Sequence, residues 1–279
     1  MTGQRTVSLD TLGVIGNGSI GGLVLEACEN RQLTFAGIVV LTRTPRAGME
    51  SRVRRLGGSV VHEISGLIGA RPNVVLEAAG HEAGREYGAA VLEAGADLVV
   101  MSIGALVDDA LMNALKMAAS RRSARIWLPS GAVGGLDALM AARATGDLER
   151  VQHQMIKHPD GLRSAPYVVR HGLLSEEIAD RVVVYRGMAR EAAREFPQSV
   201  NVAAAISFAG LGFDRTEVEV IADPSTPYTV HQITASGLFG RMMMRFENIP
   251  DPTNPRTSRL AGLSAIAMLQ GRGEVVQLL

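Results

Sequence analysis

Residues 12–22 read LGVIGNGSIGG. A short apolar run, Leu12, Val14 and Ile15, enters the turn Gly16-Asn17-Gly18-Ser19-Ile20-Gly21, which opens directly into a helical pattern. Gly16 permits a tight turn, Gly18 lets the backbone approach a pyrophosphate, and Gly21 lets the helix pack close to its strand. The N–H groups and positive dipole end of the helix then face the anion. A glycine-rich turn without a ligand has a similar composition. The position after a strand favours the dinucleotide reading, with residues 16–21 as the phosphate cradle.

The length of 279 residues suits two domains, and a 47% hydrophobic share supports a sizeable core. With 28 basic and 28 acidic residues the net charge is +0, which argues against nucleic-acid binding through a general positive field. The single cysteine, Cys28, excludes an internal disulfide and suits a reducing cytoplasm, the expected location. The opening MTGQRTVSLD lacks an apolar signal core, and no stretch approaches the roughly 20 apolar residues of a membrane span. No membrane association is expected. The histidines are scattered and HExxH is absent, so no metal site is expected.

Strand and helix patterns alternate through the first half. After a helix over 21–32, strands are expected at 35–41, 74–77, 98–102 and 125–128, separated by helices at 84–94 and 108–119. This alternation predicts an α/β, Rossmann-type parallel sheet over 1–129. Ligands in such sheets sit beyond the carboxyl ends of the strands, which draws attention to Arg43, Ala79 and His81. Past Pro129 the pattern changes. A glycine-rich turn and helix (130–142), then strands and irregular connections (152–186), helices (189–195, 200–209) and three antiparallel-looking strands (217–222, 228–235, 241–247) predict a smaller α+β mixed-sheet domain over 130–250. Residues 251–279 are expected to carry a helix that packs back on the nucleotide domain, with Leu260, Leu263, Ala267 and Leu269 at helical spacing.

The end of the second strand bears on cofactor choice. It reads Leu41-Thr42-Arg43-Thr44-Pro45-Arg46, with no acidic residue to hold ribose hydroxyls and with arginines able to pair with a 2′-phosphate. NAD or NADP is therefore expected, with NADP accepted through Arg43. Two solvated surface arginines are the alternative.

The segments SGAVGGLDALMAA (130–142), GMAREAAREFPQSVNVAA (187–204), ADPSTPYTVHQITASGLFG (222–240) and ENIPDPTNPRTSRLA (247–261), with the amino-terminal GNGSIG, resemble the L-aspartate dehydrogenase family in the family's order along the chain. The resemblance implies a nucleotide domain and a mixed-sheet catalytic domain, often as a homodimer. It also implies NAD(P)-dependent oxidation of L-aspartate through iminoaspartate to oxaloacetate and ammonia. The family's catalytic histidine matches His231, its nicotinamide-side asparagine matches Asn201, and a backbone contact to the cofactor matches Ala132. The chain departs from the family at three places near the expected substrate region. Lys157-His158-Pro159 stands for Lys-Pro-Pro, Ser199 for an asparagine, and Arg186 for an acidic residue.

Oxidising an amine to an imine moves a hydride from Cα and a proton from nitrogen, and hydrolysis then needs an activated water. An imidazole with a pKa near ~6.5 serves both stages. By its spacing alone His231 reads as a satisfied, partly buried histidine, and the resemblance makes it the acid–base candidate. His81 competes but sits where it would start the next helix, beside the cofactor. His62, His153, His158 and His171 have no comparable support as bases, although Lys157 and a protonated His158 are candidates to bind the substrate's carboxylates. Two other readings stand beside this one. The first is a related two-domain reductase acting on another small dicarboxylate or an amino-acid aldehyde. The second is a nucleotide-sensing interaction protein without turnover.

Overall fold

The computed structural model describes residues 10–197, 200–251, 254–272 and 274. They form two compact units. One holds the described chain up to Pro129 and from Gly262 onward, and the other holds Ser130–Ala261.

The first unit runs β1 (Thr11–Ile15), α1 (Ser19–Glu29), β2 (Gly37–Leu41), α2 (Met49–Arg55), β3 (Ser59–Val61), α3 (Ile64–Gly69), β4 (Val74–Glu77), α4 (His81–Glu93), β5 (Asp97–Val100), α5 (Asp109–Arg122) and β6 (Ile126–Trp127). Its six strands are ordered β3-β2-β1-β4-β5-β6, and every pairing is parallel. Leu12, Val14, Ile38–Leu41, Val74–Leu76 and Leu98–Val100 are buried. Strands covered on both faces carry unbroken apolar runs, which is why these strands show in the sequence. The expected parallel α/β sheet is present. Sequence patterning did not single out α2, β3 and α3, because a three-residue strand between short helices has no period to read.

Strand order reverses between β1 and β4, so their carboxyl ends flank the switch point where such sheets bind ligands. Cys28, on α1, is buried, and burial pushes its thiol up to about 11, so it is no nucleophile at neutral pH.

The second unit contains α6 (Leu136–Ala144), β7 (Leu148–Lys157), α7 (Pro166–Arg170), β8 (Val182–Met188), α8 (Ala189–Glu195), α9 (Asn201–Ala209), β9 (Thr216–Ala222), β10 (Thr229–Gly237), β11 (Gly240–Asn248) and the small pair β12 (Pro250–Asp251) and β13 (Asn254–Ser258). The five-stranded sheet is ordered β11-β10-β7-β9-β8. It is mixed as expected, but β9 is not wholly antiparallel: it pairs parallel with β7 and antiparallel with β8. The chain between β7 and β9 is long enough to make the crossover that a parallel pair requires.

The two faces of this sheet differ. On one, Val151 of β7 and Ile233 and Ala235 of β10 join Leu139, Val202 and Ile206 from α6 and α9 in a buried cluster. The other carries a polar chain from Arg186 to Glu219, Gln154, Gln232, Arg245 and Glu247, each bonded to the next or to its neighbour across the strands. Helix α10 (Arg259–Gly271) carries the chain back into the first unit, so residues 251–261 belong with the second unit. Within the first unit, Gly262 lies against Leu23, where an added Cβ would approach the Leu23 side chain to 2.6 Å. Gln270 donates to the Gln32 carbonyl (3.0 Å), and Arg272 pairs with Asp97.

Candidate active site

The turn after β1 has the geometry of a phosphate cradle. Gly16 has φ +103°, and a Cβ there would come within 2.9 Å of both the Ala78 carbonyl oxygen and Ala79 Cβ. At Gly21 an added Cβ would stand 2.5 Å from the Gly16 carbonyl oxygen, so α1 folds tightly over the turn only with glycine. Gly18 is the N-cap of α1, and within 4 Å of its would-be Cβ there is only the Ala78 carbonyl oxygen, at 3.9 Å. The turn is therefore open on the side where an anion meets the helix dipole, and residues 16–21 fit a dinucleotide pyrophosphate. Ser19 and Ile20 are the first residues of α1. Asn17 spends its side chain on the scaffold: Nδ2 donates to the Thr44 carbonyl at 2.9 Å and ties the loop after β2 to the cradle.

Glu77, the last residue of β4, is a site residue that the sequence reading passed over. Its carboxylate is buried and accepts from Ala79 N (2.8 Å), Gly80 N (2.9 Å), Ser102 N (3.2 Å) and the Ser102 hydroxyl. One side chain thus holds the loops after β4 and β5. The available signal was an acid closing an apolar strand directly before Ala78-Ala79-Gly80. His81 is the first residue of α4, behind Gly80 at φ +110°.

Arg43 stands at the end of β2 as expected, yet it is engaged. Its guanidinium pairs with Glu86 and donates to the Tyr87 hydroxyl (3.3 Å), both on α4. The pair is largely exposed, so water and salt screen it. Arg46 is exposed.

In the second unit, β10 and β7 bring two imidazoles together. His231 lies opposite Met155, so His153 is its diagonal neighbour on the same face. Both rings are buried, at 3% and 1% exposure, and His153 Nε2 lies 3.0 Å from His231 Nδ1. The rings stack at 30° with centroids 5.2 Å apart. Lys157 follows on the same face by strand alternation and is also buried. Burial holds the His231 imidazole well below its ordinary pKa, with smaller contributions from His153 and Lys157. Burial also pulls the Lys157 ammonium down to about 8. A neutral base therefore stands beside a lysine that is still mostly charged at neutral pH.

Asn201 is the first residue of α9, the helix that covers this face. Ala132 is buried, and its carbonyl accepts from Asn248 Nδ2 (3.0 Å), a second residue that the sequence reading passed over. His158 lies beyond the end of β7. It is half exposed and engaged with Asp160, whose N–H donates to His158 Nδ1 and whose carboxylate lies 3.2 Å away. Arg186 pairs with Glu219 (2.5 Å) on the polar face of the sheet, the face opposite His231. Ser199 lies outside the described residues. Among the described residues no group of three or more His, Cys, Asp or Glu side chains is placed to hold a metal ion, and no helix is long and apolar enough to cross a membrane.

Comparison with known proteins gives a consistent picture. A family model described as "Aspartate dehydrogenase, C-terminal" matches residues 137–272, and one described as "Homoserine dehydrogenase, NAD binding domain" matches residues 16–129. An L-aspartate dehydrogenase of Methanosarcina acetivorans is 39% identical over 265 residues, 93% of this chain and 95% of that protein. One from Brucella anthropi is 38% identical over 267 residues, 94% and 96% of the two chains. Among solved structures, the aspartate dehydrogenase of Thermotoga maritima superposes with a TM-score of 0.77 at 25% identity, covering 96% of this chain and 99% of that one. An amine dehydrogenase from Mycobacterium smegmatis, at 13% identity and a TM-score of 0.58, shares the fold.

Proposed function

The chain belongs to the L-aspartate dehydrogenase family, and on that premise we propose that it oxidises L-aspartate with NAD(P) through iminoaspartate to oxaloacetate and ammonia, or runs the reverse. The observation that carries this reading is the buried His231 imidazole on one sheet face with the buried ammonium of Lys157. An acid–base group beside an anion partner is what an amino dicarboxylate requires.

When bound in the cradle of residues 16–21, with the loop of Ala79 and His81 beside it, the nicotinamide cofactor supplies the hydride acceptor. The protein's own groups handle charge and protons. Lys157 pairs with a substrate carboxylate and orients Cα. His231, neutral at physiological pH, takes a proton from the substrate ammonium at the nitrogen not engaged by His153. The freed lone pair on nitrogen forms C=N as the Cα–H bond breaks. Once that proton has passed to solvent, the neutral ring takes a proton from water as the oxygen adds to the iminium carbon. His231 returns this proton to the nitrogen, the C–N bond breaks as C=O forms, and ammonia leaves while the hydroxyl proton is lost to solvent. Asn201 and the backbone at Ala132 are read as cofactor contacts, while His158, engaged with Asp160, is given no step.

Initial rates with L-aspartate, D-aspartate, L-glutamate and L-homoserine under both cofactors test the substrate. The L-aspartate rate should exceed the others by about 100-fold, in line with sites built around specific polar partners. A preference for any of the other three, or cofactor binding without turnover, overturns the reading.

NADP is proposed to be accepted alongside NAD, with Arg43 exchanging its exposed partner Glu86 for the 2′-phosphate. Arg43→Ala should lower kcat/KM for NADP about 10-fold, the scale of one charge-assisted hydrogen bond, and change that for NAD little. No NADP use by the parent protein ends this part of the proposal. The working form is read as a homodimer in the cytoplasm, and the dimer should run in a sizing measurement at twice 29.6 kDa.

A further inference from the structure

His153 has no part in the reaction as derived so far, and its burial is chemically expensive. It points from β7 into the covered face of the sheet, between Val151 and Met155 on its own strand and opposite Val218 of β9. An aliphatic side chain there would continue the apolar pattern. Burying an imidazole instead carries a desolvation cost that hydrogen bonds must offset. Here they offset it only in part. Nε2 meets His231 Nδ1 at 3.0 Å, while Nδ1 is buried and has no hydrogen-bond partner among the described residues. Among the described residues, the one hydrogen bond of this side chain is with the acid–base imidazole.

We propose that His153 is a positioning residue for the reaction, holding the His231 ring in place through both halves of its proton cycle. The inference rests on the acid–base role read for His231 above. In the neutral pair one proton lies in the hydrogen bond between the rings, and the other sits at an outer nitrogen, His231 Nε2 or His153 Nδ1. When His231 is the base, its Nδ1–H donates to His153 Nε2 and its own Nε2 is bare. When it has taken the substrate's proton at Nε2, the same Nδ1–H···Nε2 bond remains. When the pair adopts the other neutral arrangement, His153 Nε2–H donates to His231 Nδ1 and the ring again stays in place. A carboxylate partner would only accept and would also add a buried charge. A second imidazole serves every protonation state of the first without rotation of either ring.

Lys157 is the charged group acting on His231. The facing positions on the neighbouring strands, Val218 and Val220 of β9 and Phe246 of β11, carry no titratable group. Burial leaves His153 neutral, its pKa pulled down to about 3, so it acts on His231 through the hydrogen bond, which is stronger to the imidazolium. Losing that acceptor disfavours protonated His231, and the pH midpoint of kcat should fall.

The test compares His153→Leu, His153→Gln and His231→Ala in the full-length protein, measuring kcat, KM for L-aspartate, cofactor Kd, the pH profile and Tm. His153→Leu should lower kcat roughly 10- to 100-fold, as loss of the outer partner of a functional histidine does, with KM changed less than about twofold. His153→Gln, whose amide both donates and accepts, should recover kcat to within about fivefold and bring the pH midpoint back toward the parent's. Parent-like kcat and an unmoved midpoint in the leucine variant, or equal losses in two folded His153 variants, overturn the inference. If His153→Leu does not fold, kcat in His153→Gln decides alone, and a loss beyond about fivefold overturns the inference. If His231→Ala is inactive while both His153 variants match the parent, only this inference fails. If His231→Ala turns over normally, the acid–base assignment fails with it.

Discussion

His231→Ala is expected to lower kcat for L-aspartate oxidation by about 100-fold or more, the usual range for a general acid–base group, while cofactor Kd stays within about twofold of the parent. His231 belongs to β10 of the second unit, whereas the pyrophosphate cradle is built from Gly16, Gly18 and Gly21 of the first. Truncation also strips His153 of its one hydrogen bond inside a buried face, which should lower stability by about 1–3 kcal/mol. His231→Gln separates the two effects. An amide can hold the bond to His153 but cannot carry a proton, so Tm should recover and kcat should not. Rates for both variants near the parent's would remove His231 from the chemistry.

Lys157→Met is expected to raise KM for L-aspartate by on the order of 100-fold, the scale of truncating one partner of a desolvated charge pair, with kcat at saturation changed much less. Methionine matches the buried stem and removes only the ammonium, so the fold should persist. The same lysine predicts a pH dependence. Burial lowers its pKa to about 8, so the substrate-free protein carries the charge below pH 8 and loses it above. Affinity for succinate, a dicarboxylate without an amine to titrate, should therefore be steady below about pH 7 and weaken as pH rises through 8. In Lys157→Met that slope should vanish. Succinate affinity that ignores both pH and the substitution would exclude Lys157 as the carboxylate partner.

What the sequence reveals about this site follows the range of the interactions. The Gly16–Gly21 turn is legible because its requirements are local: a tight turn, a close approach and a helix start within six residues. The apolar strands of the first sheet are legible for the same reason, since burial on both faces leaves no polar interruptions. His231 could not be told from a core histidine by its strand position, and only the resemblance singled it out. His153 escaped because its meaning lies in a partner 78 residues away, brought close by the register of two strands. Arg186 is the converse case. The resemblance marks it as a departure from the family, and its place on the polar face beside Glu219 depends on strand alternation that the sequence does not display. Glu77 was visible as an acid ending an apolar strand, but its use as the acceptor joining two loops depends on Ser102, 25 residues on.

A crystal structure of the protein with NADP and L-malate, whose hydroxyl stands where the amine of L-aspartate would be, tests the account most directly. The account places Nε2 of His231 within hydrogen-bond distance of that hydroxyl, Nδ1 still on His153, and the Lys157 ammonium on a carboxylate. An imidazole with no contact to that hydroxyl, in crystals whose protein oxidises L-aspartate once redissolved, would contradict it.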